Sequence, residues 1–124
     1  MFCFVRRGEN DMTKLNVYVL YDATTETYVA QFLNTHDKLM KRECENLYEQ
    51  AKNFHKQNPI SPQGSLYRYA DQYCVYKVAT FDDQTGIYEQ SDVKIPVCDF
   101  REIQARELEK DIDIHANNVV NTNK

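Results

Sequence analysis

The sequence lacks several features that would assign the protein to a functional class. No apolar run approaches the roughly 20 residues that a membrane-spanning helix needs. Neither a Cys-x-x-Cys pair nor histidines at zinc-ligand spacing are present. A glycine-rich phosphate loop, a nucleophile elbow and a His-Glu-x-x-His motif are also missing. We therefore expect a protein that is not an enzyme, has no catalytic residues, binds no cofactor or metal, and does not enter a membrane.

The sequence also has fewer basic than acidic residues. The chain has 15 Lys and Arg residues against 19 Asp and Glu residues, which gives a formal net charge of −4. This balance disfavours a diffuse basic surface for nucleic acid, so DNA binding would need a local group of cations. The four cysteines are predicted to be reduced and mostly buried. A secretory signal places positive charges before its apolar stretch, whereas Arg6 and Arg7 come after one, so the expected compartment is the cytoplasm.

The length of 124 residues suits one domain, and 42% hydrophobic with 27% charged residues is typical of a globular protein. Residues 1–13 show no strand or helix period. They are predicted to be a disordered extension, with Met12 as an alternative start of translation. Residues 14–103 are predicted to form a single α+β domain, and residues 104–124 a short helix followed by a disordered tail.

Strand-forming residues, above all Tyr, Val, Phe and Thr, are concentrated in four stretches. The first stretch is apolar on both faces, which predicts a central position in the sheet. Pro96 in the fourth predicts an edge strand or strand end, because proline cannot donate a hydrogen bond to a neighbouring strand. The predicted strands are Leu15–Tyr21, Tyr28–Leu33, Tyr73–Phe81 and a return strand that begins at Ile87-Tyr88, after which Glu89–Val97 is a candidate edge strand.

One long amphipathic helix is predicted between the second and third strands. Asn34 or Thr35 is placed to cap it. Asp37 lies in the first turn, where the helix dipole favours negative charge, and Asn58-Pro59 ends the helix. Spacings of three and four residues place the apolar side chains on one face. That face consists of Met40, Cys44, Leu47, Tyr48, Ala51 and Phe54.

These elements predict an α+β fold with the order β-β-α-β-β. The two hairpins form one small antiparallel sheet, and the long helix packs its apolar stripe on one face. The opposite face is expected to carry Tyr, Lys and Thr side chains. Asp99 and Glu102 have capping-box spacing, which predicts a short helix to about Lys110 and then a flexible C-terminal tail.

The two predicted hairpins have matching turns. Tyr21-Asp22-x-x-Thr25-x-x-Tyr28 aligns with Phe81-Asp82-x-x-Thr85-x-x-Tyr88, so an aromatic residue ends each outgoing strand and a tyrosine begins each return strand. Each Asp can accept hydrogen bonds from backbone N–H groups two or three residues later. The match indicates either a remnant of duplication or two independent solutions to one turn problem.

Two groups of residues are candidates for contact with single-stranded DNA, which proteins bind with aromatic faces for the bases and cations for the phosphates. One group precedes the third strand, and the other lies in the first two turns of the long helix. In the alternative interpretation, the tyrosines pack at the rim of the core and the helical cations pair with Glu45 and Glu49. The candidate DNA-binding residues are Tyr67, Arg68, Tyr69, Lys38, Lys41 and Arg42.

The third strand and its turn, Tyr73-Cys-Val-Tyr-Lys-Val-Ala-Thr-Phe-Asp-Asp-Gln-Thr-Gly86, resemble the hallmark segment of the small nonstructural proteins of gokushovirus-type microviruses. These viruses are single-stranded DNA phages. The chain departs from the family pattern at Gln72, where the family has an acidic residue, and at Ala79-Thr80, where it has Gly-Glu. The resemblance covers about residues 14–103 and includes the segments Leu15–Asp22, Asn34–Asp37, Asn58–Pro62 and Val97–Phe100.

The resemblance implies a phage protein similar in size and genome context to protein C of the enterobacterial microviruses. That protein is associated with the switch from duplex replication to single-strand synthesis and packaging. No catalytic residues carry over from the family. The expected partners are single-stranded DNA, or a viral replication initiator or capsid precursor, in the host cytoplasm. The alternative function is a protein-interaction adaptor that docks through its sheet edge without touching DNA.

Overall fold

The computed structural model describes the backbone of residues 14–122 and the side chains of residues 14–112. The extension predicted for residues 1–13 lies outside this range. Short 3₁₀ turns at Pro62–Gly64 and Ala70–Gln72 flank the second helix. The strands and α-helices are β1 (Lys14–Asp22), β2 (Thr27–Asn34), α1 (Asp37–Gln57), α2 (Ser65–Arg68), β3 (Tyr73–Asp82), β4 (Ile87–Asp99) and α3 (Phe100–Thr122).

The four strands form one antiparallel sheet in the order β2-β1-β3-β4. The predicted α+β class and the predicted order of strands and long helix are therefore confirmed. β1 lies in the middle of the sheet, as its apolar composition predicts. β4 is an edge strand, which explains how it accommodates Pro96. Each strand begins and ends within two residues of its prediction.

α1 covers one face of the sheet, and its apolar stripe is confirmed in part. Leu47 is only partly buried against the core. Phe54, in the last turn, is 39% exposed, so its predicted place in the core is wrong. The side chains of α1 that are buried are Met40, Cys44, Tyr48 and Ala51.

The start of α1 differs from the prediction. His36 occupies the N-cap position and its side chain makes no capping hydrogen bond. Asn34 is the last residue of β2, so the predicted cap at Asn34 or Thr35 is wrong. Asp37 lies in the first turn, where it accepts a hydrogen bond of 2.6 Å from the Tyr18 hydroxyl of β1. The helix therefore begins at a contact with the sheet instead of at a local cap.

The core is completed by the first turns of α3, which pack beside α1. Phe100 is fully buried and Ile103 is 7% exposed, and both join the apolar cluster formed by β1, β3 and α1. At the rim of this cluster, Glu107 accepts hydrogen bonds from the Lys52 ammonium at 2.7 Å and the Tyr48 hydroxyl at 3.1 Å. Burial alone would raise the pKa of Glu107, but these hydrogen bonds outweigh it and lower the pKa below its usual value.

α3 begins where the sequence predicts and ends later. Asp99 accepts a hydrogen bond of 3.0 Å from the backbone N–H of Arg101, which confirms its capping role. The helix then continues to Thr122, past the predicted end near Lys110. Residues 100–122 contain no proline or glycine, so no residue that commonly stops a helix interrupts this one.

The turns that match in sequence also match in structure. In each turn the Asp carboxylate accepts a hydrogen bond of 2.9 Å from the backbone N–H two residues later. Four residues after that Asp, both turns have a left-handed backbone, with φ of 58° at Glu26 and 76° at Gly86. Glycine adopts this conformation without strain, whereas a residue with a Cβ does not. The first turn is therefore strained at Glu26.

Glu26→Gly is expected to stabilise the protein by about 0.5–1 kcal/mol. A left-handed conformation costs a non-glycine residue about 1–2 kcal/mol, and the extra unfolded-state freedom of glycine offsets about 0.5–1 kcal/mol of that gain. Urea denaturation followed by circular dichroism measures the change.

Glu26→Ala is the matched control for this prediction, because it removes the charge but keeps the Cβ and the strain. Gly86→Ala is expected to destabilise, although no atom lies within 4 Å of the added Cβ, so any loss reports backbone strain alone. If Glu26→Ala stabilised the protein as much as Glu26→Gly, the effect would come from the side chain and the strain argument would be wrong.

Candidate nucleic-acid interface

One face of the sheet is left uncovered by the described helices. Successive side chains of a strand point to opposite faces. Tyr18 and Leu20 of β1 belong to the core under α1, so Val19 and Tyr21 point to the other side. We call this side the open face. The strand register gives it five aromatic residues, which are Tyr21, Tyr28, Tyr76, Phe81 and Tyr88.

Three tyrosines and one lysine form a cluster at one end of the open face. The rings of Tyr21 and Tyr28 are 4.9 Å apart between centroids, and those of Tyr21 and Tyr76 are 6.4 Å apart. The Lys94 ammonium lies 5.0 Å from the ring centroid of Tyr28, 5.7 Å from that of Tyr76 and 6.0 Å from that of Tyr21. For Tyr21 and Tyr76 these distances are within the range of cation–π attraction, about 6 Å, whereas at Tyr28 the ammonium lies at the hydroxyl end of the ring. We call this group the tyrosine–lysine cluster.

Each member of the tyrosine–lysine cluster comes from a different strand. Lys94 belongs to one edge strand, β4, and donates a hydrogen bond to the hydroxyl of Tyr28 on the opposite edge strand, β2. This hydrogen bond raises the pKa of Lys94, so the ammonium stays charged at neutral pH. The nearby Cys74, together with burial, raises the pKa of Tyr76, so its hydroxyl stays neutral there.

A second aromatic pair lies at the other end of the open face. The rings of Phe81 and Tyr88 are 4.7 Å apart between centroids. Phe81 pairs with Leu15 of β1, six residues from Tyr21, and six residues of a strand span about 20 Å. Tyr88 is 54% exposed and Tyr28 is 47% exposed, so each end of the open face presents a tyrosine to solvent.

The open face has the components of a surface for a single strand of nucleic acid. Exposed aromatic rings can stack on bases of any sequence, and a cation beside them can contact a phosphate. The aromatic groups stand at two points along the strands, and the cation lies over the rings at one of them. An extended chain of bases would meet these groups one after another.

The candidate residues predicted from the sequence lie away from the open face, and Tyr67 is only partly exposed. Its ring lies 5.5 Å from the ring of Tyr48 and 5.1 Å from that of His55, and it packs against the core. Packing on these rings reduces the part of Tyr67 that a base could reach, and its contact with DNA stays a prediction. The alternative interpretation, packing at the rim of the core, describes this tyrosine.

Arg68 and Tyr69 are placed side by side. The Arg68 guanidinium donates hydrogen bonds to the carbonyl of Ser61 at 3.3 Å and to that of Pro59, so it holds the loop that follows α1. It also lies 5.0 Å from the ring centroid of Tyr69. Tyr69 is 50% exposed, and its ring remains accessible.

The cations predicted for DNA contact are exposed in the first two turns of α1, as expected for Lys38, Lys41 and Arg42. Tyr67 instead contacts His55, near the other end of the helix. The 21 residues of α1 span about 30 Å. The structure therefore does not bring the two predicted groups together, and their contact with DNA stays a prediction.

The sequence did not single out Lys94 or Tyr28 as site residues, although one signal pointed to part of the cluster. The repeated turn pattern marks Tyr21 with Tyr28, and Phe81 with Tyr88, as equivalent pairs at the ends of hairpins. Equivalent positions in two hairpins of one sheet can share a face. No comparable pattern marks Lys94, because its contacts depend on the order of the strands.

Other classes of site have less support in the part of the chain that the structure describes. No group of three or more His, Cys, Asp or Glu side chains between residues 14 and 112 is arranged to hold a metal ion. Cys44 and Cys98 are buried thiols, as predicted, and Cys74 is half-buried. None of the helices described here is long and apolar enough to cross a membrane.

Comparison with known proteins identifies a family. Residues 15–103 match the family described as phage ORF5 protein. The matched range begins in β1 and ends in the first turn of α3, so it includes nearly the whole sheet and both aromatic ends of the open face. No curated protein and no solved structure matches the chain.

Proposed function

This chain belongs to the phage ORF5 protein family, and we propose that it is a non-enzymatic, nonstructural phage protein that binds single-stranded DNA through its open face. The proposed setting is viral DNA replication in the host cytoplasm, at the switch to single-strand synthesis and packaging. The resemblance to nonstructural proteins of gokushovirus-type microviruses supports this setting. Those proteins are in turn analogous to protein C, which is associated with this switch.

One observation carries the proposal of direct DNA contact. A lysine ammonium lies among three tyrosines on a sheet face that no described helix covers, bonded to the hydroxyl of Tyr28 and facing the rings of Tyr21 and Tyr76. A lysine at an edge strand usually stays in solvent, whereas Lys94 extends inward over the rings. The result is a positive charge among stacking surfaces, which suits a polyanion that also carries aromatic bases.

The acidity of the chain shapes the expected binding. With a net charge of −4, the protein gains little from long-range attraction to DNA, so stacking has to supply most of the affinity. Each stacked base contributes about 1–3 kcal/mol. Each phosphate contact with a single strand adds about −0.7 to the slope of log K against log salt. We therefore expect a shallow salt dependence, set by Lys94 and few other cations.

Tyr28→Ala is expected to weaken binding of a labelled oligothymidylate by about 1–3 kcal/mol, because a stacking face is lost. Lys94→Ala is expected to weaken binding and also to flatten the salt dependence, because one fewer counterion is released. Fluorescence anisotropy at two salt concentrations measures both effects, with a duplex of the same length for comparison.

Tyr69→Ala is the matched control, since Tyr69 is 50% exposed, close to the 47% of Tyr28, but lies outside the open face. Its affinity for the oligonucleotide should equal that of the wild type. If Tyr69→Ala lost affinity and Tyr28→Ala did not, the result would assign DNA binding to the residues predicted from the sequence and not to the open face. If the wild type bound no oligonucleotide at low salt, the DNA proposal would be wrong.

A second candidate function is that of an adaptor, which docks on a capsid precursor or a replication initiator through a sheet edge. The observation that favours it is β2, an edge strand whose eight residues include no charged side chain. Such a contact would be nearly independent of salt. Salt-independent binding to one of these partners, with no binding to oligonucleotides, would support the adaptor over DNA binding.

A further inference from the structure

The two edges of the sheet are built differently. Natural sheets protect their edges with charged side chains, proline and irregular pairing, because a free edge can pair with another strand. β4 has these features, and its pairing with β3 shifts register twice. The protecting residues of β4 include Glu89, Asp92, Lys94 and Pro96.

β2 has little such protection. Its sequence, Thr27-Tyr-Val-Ala-Gln-Phe-Leu-Asn34, contains no charge, no proline and no glycine. Its pairing with β1 shifts register once. Tyr28 is 47% exposed, Val29 52% and Leu33 43%, so the strand presents apolar side chains along its length. The outward-pointing backbone groups of this eight-residue edge strand are therefore available beside an apolar surface.

We propose that β2 pairs with the β2 strand of a second copy of this chain, antiparallel and around a two-fold axis. An antiparallel pair of identical strands is self-complementary, because each copy offers the other the same row of N–H and C=O groups. Since β2 carries no charge, this pairing opposes no like charges across the axis. The β2 strand of a second copy can therefore form hydrogen bonds with the free backbone groups of this edge.

The flank of α1 beside β2 also suits a second copy. A shallow groove there, next to Asn34 at the end of β2, is lined by Arg42 and Glu43, with Leu39 38% exposed at its side. A two-fold interface presents the same surface from both copies, so a surface with both signs of charge can be its own complement. A flank with cations alone would repel its copy.

The pairing would give a continuous sheet of twice the width. The two-fold axis of an antiparallel strand pair is perpendicular to the sheet, so the open faces of both copies lie on one side. Tyr28 of each copy would then stand near the junction, and the two tyrosine–lysine clusters would line one surface.

Sedimentation velocity of the full chain over a range of concentrations tests the pairing. The wild type is expected to sediment as a dimer. Val29→Lys and Gln31→Lys each place two like charges near the axis, and each is expected to raise the dissociation constant about tenfold or more. Both positions are exposed, so circular dichroism should show an unchanged fold.

Val93→Lys is the matched control, because Val93 is a valine on the other edge strand, 66% exposed. It should leave the dimer intact. A wild type that stays monomeric at its highest soluble concentration would overturn the proposal. So would a dimer that Val93→Lys weakens and both β2 variants leave unchanged, since the interface would then involve β4. Oligonucleotide binding by the wild type is measured at protein concentrations above and below the dimer dissociation constant, so loss of the dimer and loss of DNA binding remain distinguishable.

Discussion

Phe100→Ala is expected to leave much of the protein unfolded at 37 °C. Phe100 is the first residue of α3 and is fully buried. It belongs to the same apolar cluster as Tyr18, Tyr48 and Val75, so its ring joins the sheet, α1 and α3. Replacing a buried phenylalanine with alanine costs about 3–5 kcal/mol, against a total stability of about 5–15 kcal/mol for a typical domain.

Urea denaturation followed by circular dichroism measures this loss. Leu108→Ala is the control on the same helix, because Leu108 is 55% exposed, and it should cost less than about 0.5 kcal/mol. Similar losses from the two changes would mean that α3 is not anchored through Phe100. Leu47→Ala in α1 is expected to lower the free energy of unfolding by an amount between those of Phe100→Ala and Leu108→Ala. Leu47 is half-buried, so its truncation removes less buried surface than that of Phe100.

Asp37→Ala is expected to destabilise the protein by about 2–3 kcal/mol, which is large for a residue near the surface. The Tyr18 hydroxyl, on a fully buried side chain, donates a hydrogen bond of 2.6 Å to Asp37. Burial and this carboxylate raise the pKa of Tyr18, so the hydroxyl keeps its proton and needs an acceptor. A buried donor left without a partner costs about 1–3 kcal/mol, and Lys77, 3.5 Å from Asp37, loses its ion pair as well.

A double-mutant cycle separates the Tyr18–Asp37 interaction from the rest. Tyr18→Phe with Asp37→Ala should cost less than the sum of the single changes, because the double variant has no Tyr18 hydroxyl left without its acceptor. The interaction free energy is expected to be about 1–2 kcal/mol by thermal or urea denaturation. Additive effects would show that the hydrogen bond does not couple α1 to the sheet. Asp92→Ala, at an exposed carboxylate on β4, is the control for loss of charge.

The contact at Asp37 shows what a sequence pattern reveals and what it does not. The strands and α1 follow from alternation and from spacings of three and four, which are properties of a local stretch. The start of α1 does not follow, because Asp37 bonds a tyrosine from a distant strand. A polar residue before a helix looks like a cap unless the partner across the fold is known, and so Asn34 and Thr35 seemed placed to cap it.

The candidate site also has parts that a sequence pattern could predict and parts that it could not. Tyr67 and Tyr69 are two residues apart in the sequence and look alike, yet one packs on Tyr48 and the other is half exposed. The tyrosine–lysine cluster needs all four strands in their observed order, so no single stretch contains it. Two sequence features carried information about the open face. The repeated turn pattern marked equivalent positions in two hairpins, and the strand composition predicted Tyr and Lys side chains opposite α1.

That repetition has a geometric consequence. β1 and β3 are antiparallel neighbours in the middle of the sheet, and β2 and β4 are their outer partners. A half-turn about an axis normal to the sheet therefore exchanges the two hairpins, and it exchanges the Tyr21–Tyr28 pair with the Phe81–Tyr88 pair.

Lys94 breaks this pseudo-symmetry, because its ammonium lies at the first pair, where it bonds the Tyr28 hydroxyl. The two ends of the open face thus differ. At one end aromatic rings surround a positive charge, and at the other the rings of Phe81 and Tyr88 pack against each other at a tilt of 44°. A strand of nucleic acid also has two unlike ends, 5′ and 3′. A strand that runs along the β-strands of this face is therefore expected to lie in one direction, with its polarity set by a single lysine.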